Sequence, residues 1–81
     1  MTTREEIRQW IDRGIADGAT HVIVACDTFD HEDYPVYVKP GQNAREVANA
    51  YDGVNMQRLI ECYNLSLDIY AQMNEYRARN F

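Results

Sequence analysis

The chain is predicted to fold as one α+β domain of order α-β-β-α-α. An antiparallel hairpin packs against helices, and a long C-terminal helix closes the chain. Three observations carry this. Ile7, Trp10, Ile11 and Ile15 recur at helical spacing. Residues 21–26 are a β-branched apolar run, and residues 34–39 alternate after a polar connection. From Met56 onward, apolar residues return every three or four positions.

The first helix has a clear start. Thr3 with Glu6 three residues later is a capping-box pattern, and Glu5 and Glu6 place negative charge where the helix dipole favours it. Gly14 weakens the last turn. Asp17-Gly18 is a stop, with Gly18 free to take the left-handed conformation after the helix.

His21, Val22, Ile23, Val24, Ala25 and Cys26 form the first strand, apolar on both faces, which fits a strand covered on both sides. The second strand, residues 34–39, places Val36 and Val38 on one face and Tyr37 and Lys39 on the other. Pro35 has no N–H for a ladder, so this strand is expected at an edge. Pro40-Gly41 ends it.

Asn43 with Glu46 caps a short helix through Val47, Ala48, Ala50 and Tyr51, and Asp52-Gly53 stops it. Asn55 is read as the cap of the longest element, residues 56–79. Met56, Leu59, Ile60, Tyr63, Leu67, Tyr70 and Met73 make its face, widened by Leu65, Ile69 and Tyr76. At 1.5 Å per residue such a helix is about 35 Å long. That is too long for so small a core, so its end projects or pairs with a second copy. Three helices on one face of a hairpin leave the other face bare, and a homodimer or a bound partner is the expected cover.

The 81 residues suffice for one domain. Cys26 and Cys62 follow no signal peptide, so both thiols are expected reduced and the chain cytoplasmic in a host bacterium. No apolar run approaches the ~18 residues of a membrane span. Thirteen acids against eight bases give a net charge of −5. A nucleic-acid binder needs a basic surface to displace phosphate counterions, so direct DNA or RNA binding is discounted.

The connection between the strands is the most unusual feature. Asp27, Asp30, His31, Glu32 and Asp33 crowd four carboxylates and an imidazole into seven residues. Tyr34 and Tyr37 follow, and tyrosine suits interfaces because its ring buries area while its hydroxyl stays hydrogen-bonded. Asp30, His31, Glu32, Asp33, Tyr34 and Tyr37 are therefore the expected partner-binding surface, shaped for an Arg- and Lys-rich protein. The alternative is a small metal-binding protein or metal-dependent enzyme with a hard-cation site for Mg²⁺, Mn²⁺ or Ca²⁺ on Asp27, Asp30, His31 and Asp33, although the spacing matches no EF-hand. The plain alternative is a solvated loop.

No cofactor and no catalytic group is expected. His21 and Cys26 are five positions apart on one strand, so they face opposite ways and form no dyad. Cys26 reads as a buried small hydrophobe, and His21 as a boundary residue bonded to a neighbouring loop. There is no dinucleotide fingerprint, phosphate-binding loop or nucleophile elbow. The run from Pro40 to Arg45 leads into a helix start and is a weak anion-site signal with one glycine.

The stretch from Gly18-Ala19-Thr20-His21 through Cys26-Asp27-Thr28-Phe29-Asp30-His31-Glu32-Asp33-Tyr34-Pro35-Val36-Tyr37-Val38, with Asn55-Met56-Gln57-Arg58, resembles small proteins encoded by bacteriophages, prophages and plasmids. The resemblance carries no residue roles. It implies a small acidic protein that binds and blocks a host protein complex, such as a nucleic-acid-binding defence complex, in the manner of an anti-CRISPR.

Overall fold

The computed structural model describes residues 3–53, 56–75 and 77–81. The elements are α1 (Arg4–Ala16), β1 (His21–Asp27), β2 (Glu32–Val38), α2 (Ala44–Ala50), β3 (Gln57–Asn64) and α3 (Ile69–Met73). The class is α+β, as predicted, but the order is α-β-β-α-β-α. The predicted long helix does not exist. Its first part is a third strand and its last part a helix of five residues. Asn55 and Tyr76, assigned to that helix from the sequence, lie outside the described residues.

α1 begins as its capping box predicts, with the Glu6 amide donating to Thr3 Oγ1 at 3.1 Å. It ends in a double clasp around Gly18, whose φ is +76°. The Gly18 amide donates to the Ile15 carbonyl and the Ala19 amide to the Gly14 carbonyl, which satisfies two orphan carbonyls of the last turn. The buried face is Ile7, Ile11 and Gly14. Ile15, expected in that stripe, is 51% exposed, because the helix lies against the sheet on its Gly14 side.

The sheet is antiparallel in the order β2-β1-β3. Pro35 marks β2 correctly as an edge. The apolar character of β1 is explained by its central place. Val22 and Val24 pack with Ile7, Ile11, Tyr63 and Ala78, with Ile69 and Met73 of α3 alongside. Ile23 faces the other way, with Val38, Leu59 and Cys62 and with Ala44 and Ala48 of α2. The helices divide between the two faces, so the expectation that they crowd one face and leave the other for a second copy is corrected. A homodimer seam along the long helix loses its helix as well. Tyr63 of that proposed seam is 2% exposed in the core, whereas Tyr70 is 72% exposed with Arg8 above its ring.

β3 shifts register against β1 between Val24 and Ala25. Val24 pairs with Glu61 and Ala25 with Leu59, so Ile60 is an extra residue in the strand. The outer edge of β3 is partly closed by the C-terminal segment. Cys62 donates its amide to the Ala78 carbonyl at 2.8 Å and accepts from the Asn80 amide at 3.0 Å.

Where β3 ends, the chain turns through Asn64, whose side-chain oxygen accepts from the Ser66 amide and hydroxyl. Asp68 then caps α3 by accepting from the Ala71 amide. Gln72 of α3 is 2% exposed and fully bonded. Its Oε1 accepts from the Asn64 amide at 2.7 Å, and its Nε2 donates to the carbonyls of Asn64 at 2.8 Å and Asp68 at 3.2 Å. One side-chain amide thus pairs with the end of β3 as a neighbouring strand would.

Candidate functional site

The acidic connection is shorter and more ordered than the sequence suggests. Asp27 belongs to β1 and pairs with Glu32, the first residue of β2, leaving residues 28–31 as the turn. Asp27 organises that turn. Its Oδ1 accepts from the Phe29 amide at 2.8 Å and the Asp30 amide at 3.4 Å, and its carbonyl accepts from the His31 amide at 2.7 Å. His31 closes the turn in the left-handed region, φ +58°, which histidine tolerates better than most residues. Thr28 fastens the turn to the start of β3, its amide and its hydroxyl each donating to the Met56 carbonyl at 2.8 Å.

This geometry sorts the residues singled out from the sequence. Asp30, His31 and Glu32 are exposed. The carboxylates of Asp30 and Glu32 enter no ion pair among the described residues. Asp33 sits opposite Cys26, whose thiol donates to the Asp27 carbonyl at 3.6 Å. The two tyrosines do not share a surface. Tyr34 pairs with Ala25 and Tyr37 with Val22, which place them on opposite faces of β2. Tyr34 accepts from Gln57 Nε2 at 2.7 Å and stands edge-on to the Tyr51 ring at 6.4 Å. Burial raises its phenol pKa. Tyr37 packs into the α1 side of the core, its hydroxyl buried without a partner. The predicted joint patch of Tyr34 and Tyr37 is therefore corrected, because three residues along a strand reverse the face.

Phe29 is an apolar residue in an otherwise polar connection. It is 72% exposed at the tip, between the Asp27 and Asp30 carboxylates, and Met56, to which the tip is fastened, is 58% exposed. The available signal was a lone aromatic with no periodic partner in a loop of charged residues.

No group of three or more His, Cys, Asp and Glu side chains among the described residues is placed to hold a metal ion. Asp27 Oδ1 is engaged by the amides of the turn. Cys26 is half-buried rather than buried. Desolvation and the neighbouring Asp33 carboxylate raise its pKa. Cys62, expected on a helix, is buried in β3, and desolvation pushes its pKa up to about 11. Neither thiol is poised as a nucleophile.

His21 lies at the opposite end of β1, its Nδ1 2.9 Å from Thr20 Oγ1. Desolvation lowers its pKa from the usual value. The folded state therefore favours the neutral ring. The stability this contributes is present above the unfolded pKa of about 6.5 and is lost as pH falls through that value toward the folded pKa. Urea midpoints at pH 7.5 and 5.5 should fall further on acidification in the wild type than in His21→Gln. Equal falls would mean that another group carries the acid sensitivity.

No helix among the described residues is long and apolar enough to cross a membrane. No family model, no curated protein and no solved structure matches the chain.

Proposed function

We infer that the chain is a non-enzymatic protein-binding module whose contact element is the β1–β2 hairpin tip. The observation that carries this reading is Phe29, 72% exposed on a turn fastened by Asp27 and Thr28 and close in the chain to Asp30 and Glu32, whose carboxylates enter no ion pair among the described residues. A phenyl ring has two rotatable side-chain bonds and so loses little entropy on docking, and aromatic anchors dominate the energy of many interfaces. The surrounding carboxylates favour a partner surface rich in Arg and Lys, and they speed and orient the encounter more than they strengthen it.

In its narrower form the partner is a host complex that normally holds nucleic acid, with the acidic tip occupying a basic groove in place of phosphate. The charge of −5 supports that form. The module would then act as an inhibitor of a host defence complex.

Three variants test the reading: Phe29→Ser, the pair Asp30→Asn with Glu32→Gln, and all three together. These side chains are exposed, so each variant should unfold within about 0.5 kcal/mol of the wild type. In captures from bacterial lysate, and in assays of phage or plasmid restriction in cells, the wild type should retain a defence complex and relieve interference. The triple variant should do neither. The charge pair should chiefly weaken the salt dependence of binding. A partner held equally by wild type and triple variant would remove the tip as the contact element.

A further inference from the structure

The outer edge of β3 holds a segment of the chain in a way that a second copy can reproduce. Residues 77–81 follow α3 and run parallel to β3, with Arg79 beside Cys62. The backbone supplies two ladder bonds, from the Cys62 amide to the Ala78 carbonyl and from the Asn80 amide to the Cys62 carbonyl. The Ala78 amide donates to Glu61 Oε2 at 3.4 Å, and Arg79 Nη2 donates to the Leu59 carbonyl at 3.3 Å. The side chains then enter both cores. Ala78 is 1% exposed in the cluster of Ile7, Val22 and Val24 on the α1 side. Phe81 packs on the α2 side, its ring centroid 4.6 Å from the Arg45 guanidinium.

An extended segment laid on a sheet edge, with its side chains in pockets, is the geometry of strand addition. The hydrogen bonds just named all end on β3. The Asn80 side chain makes one bond back to the connection that delivers the segment, Nδ2 donating to Glu75 Oε1 at 3.3 Å. The same five residues from a second copy therefore fit the same edge, bond for bond. The connection is strained where the segment begins. Arg77 has φ +55°, a left-handed conformation that a residue with a Cβ occupies about five- to thirtyfold less readily than the right-handed one. Passing the segment to a neighbouring copy lets Arg77 leave that region, once in each chain. Exchange of an identical element is a low-cost route to a dimer, and strained connections favour it.

We propose that two copies exchange residues 77–81, each laying its segment on the β3 edge of the other. The partner is a second copy joined by swapped segments, not by a seam of exposed apolar residues. In the monomer the tethered segment competes at an effective concentration of about a millimolar. The strain at Arg77 lowers that figure, so the dimer forms in concentrated protein. The exchange does not depend on what the hairpin tip binds.

Sedimentation equilibrium of the whole chain between about 10 μM and about 1 mM reads the dimer dissociation constant. Arg77→Gly, Arg77→Ala and Arg77→Val all lose the arginine side chain, so differences among them read the backbone. Glycine accepts positive φ readily, and Arg77→Gly should stay monomeric longest. Arg77→Ala should dimerise about 25-fold more tightly than Arg77→Gly, about fivefold for each of the two hinges. Arg77→Val should dimerise more tightly still, because a β-branched residue tolerates positive φ least. In Arg77→Val dimers mixed from isotope-labelled and unlabelled chains, NOEs between Ala78 and Cys62 should run between chains. Three variants that all stay monomeric at about 1 mM, or dissociation constants out of this order, overturn the proposal. So do dimers whose Ala78–Cys62 NOEs remain within one chain.

Discussion

Replacing Gln72 with methionine should lower the unfolding free energy by about 2–4 kcal/mol in urea titrations. The substitution keeps the length and most of the volume of the side chain and removes only the amide. It leaves the Asn64 amide and carbonyl without the partners that Gln72 supplies at 2.7 and 2.8 Å. Each unsatisfied buried group costs about 1–3 kcal/mol, and the partial exposure of Asn64 lets water recover some of that. Against a total of roughly 4–12 kcal/mol for a chain of this length, the loss is a large fraction. Gln72→Glu separates the donor from the acceptor role. A carboxylate can still accept from the Asn64 amide but sets negative charge against the carbonyls of Asn64 and Asp68. Burial and those carbonyls raise the folded pKa of the introduced carboxyl above its unfolded value. The variant should therefore recover toward wild type as pH falls, since the protonated acid regains a donor. The difference between variant and wild type should be greater at pH 7 than at pH 4.5. A difference that does not change with pH would mean that Gln72 only fills space.

Much of the fold was legible where local chemistry and tertiary environment agree. Thr3, Gly18, Asn43 and Pro35 each have a side-chain or backbone property that fixes one local outcome, and each sits where that property requires. The apolar run of β1 reads as covered on both faces, and it is. The failure at β3 has a definite cause. Along a regular strand Leu59 and Cys62 would face opposite ways. With Ile60 inserted as a bulge, both face α2, so residues three apart share a side as they would on a helix. Met56, Leu59, Ile60 and Tyr63 then mimic helical periodicity, although Met56 is exposed. The break was nevertheless visible. Asn64, Ser66 and Asp68 form a polar turn ahead of a new cap, and a continuous helix has no use for three such residues in five positions.

The candidate site was legible in its charges but not in its geometry. Counting carboxylates finds the hairpin. It does not show that Asp27 is spent on the turn backbone, that Asp33 sits opposite Cys26, or that Tyr37 is drawn into the core. Those outcomes depend on strand register, which residue type alone does not encode.

Gly14 offers the most direct test of how α1 meets the sheet. In a helix interior, alanine in place of glycine is ordinarily favourable by about 1 kcal/mol. Here a methyl group at position 14 would lie 2.9 Å from Val22 Cγ2 and 3.2 Å from both Leu65 Cδ1 and Tyr37 Cδ1. Val22 is fully buried and β-branched, so its methyl cannot swing away. Relief requires α1 to lift from the sheet, at the cost of contacts that Ile7 and Ile11 make with Val22 and Val24. Overpacking of this kind costs about 1–3 kcal/mol and outweighs the propensity gain. Gly14→Ala should therefore destabilise the protein, the reverse of its effect in an ordinary helix, and Gly14→Val should do so more strongly. Val22→Ala opens a cavity and is destabilising alone. Combined with Gly14→Ala it should cost less than the two single effects added, because the new methyl occupies part of the space vacated. A stabilising Gly14→Ala, or strict additivity in the pair, would mean that α1 does not approach the sheet at this point.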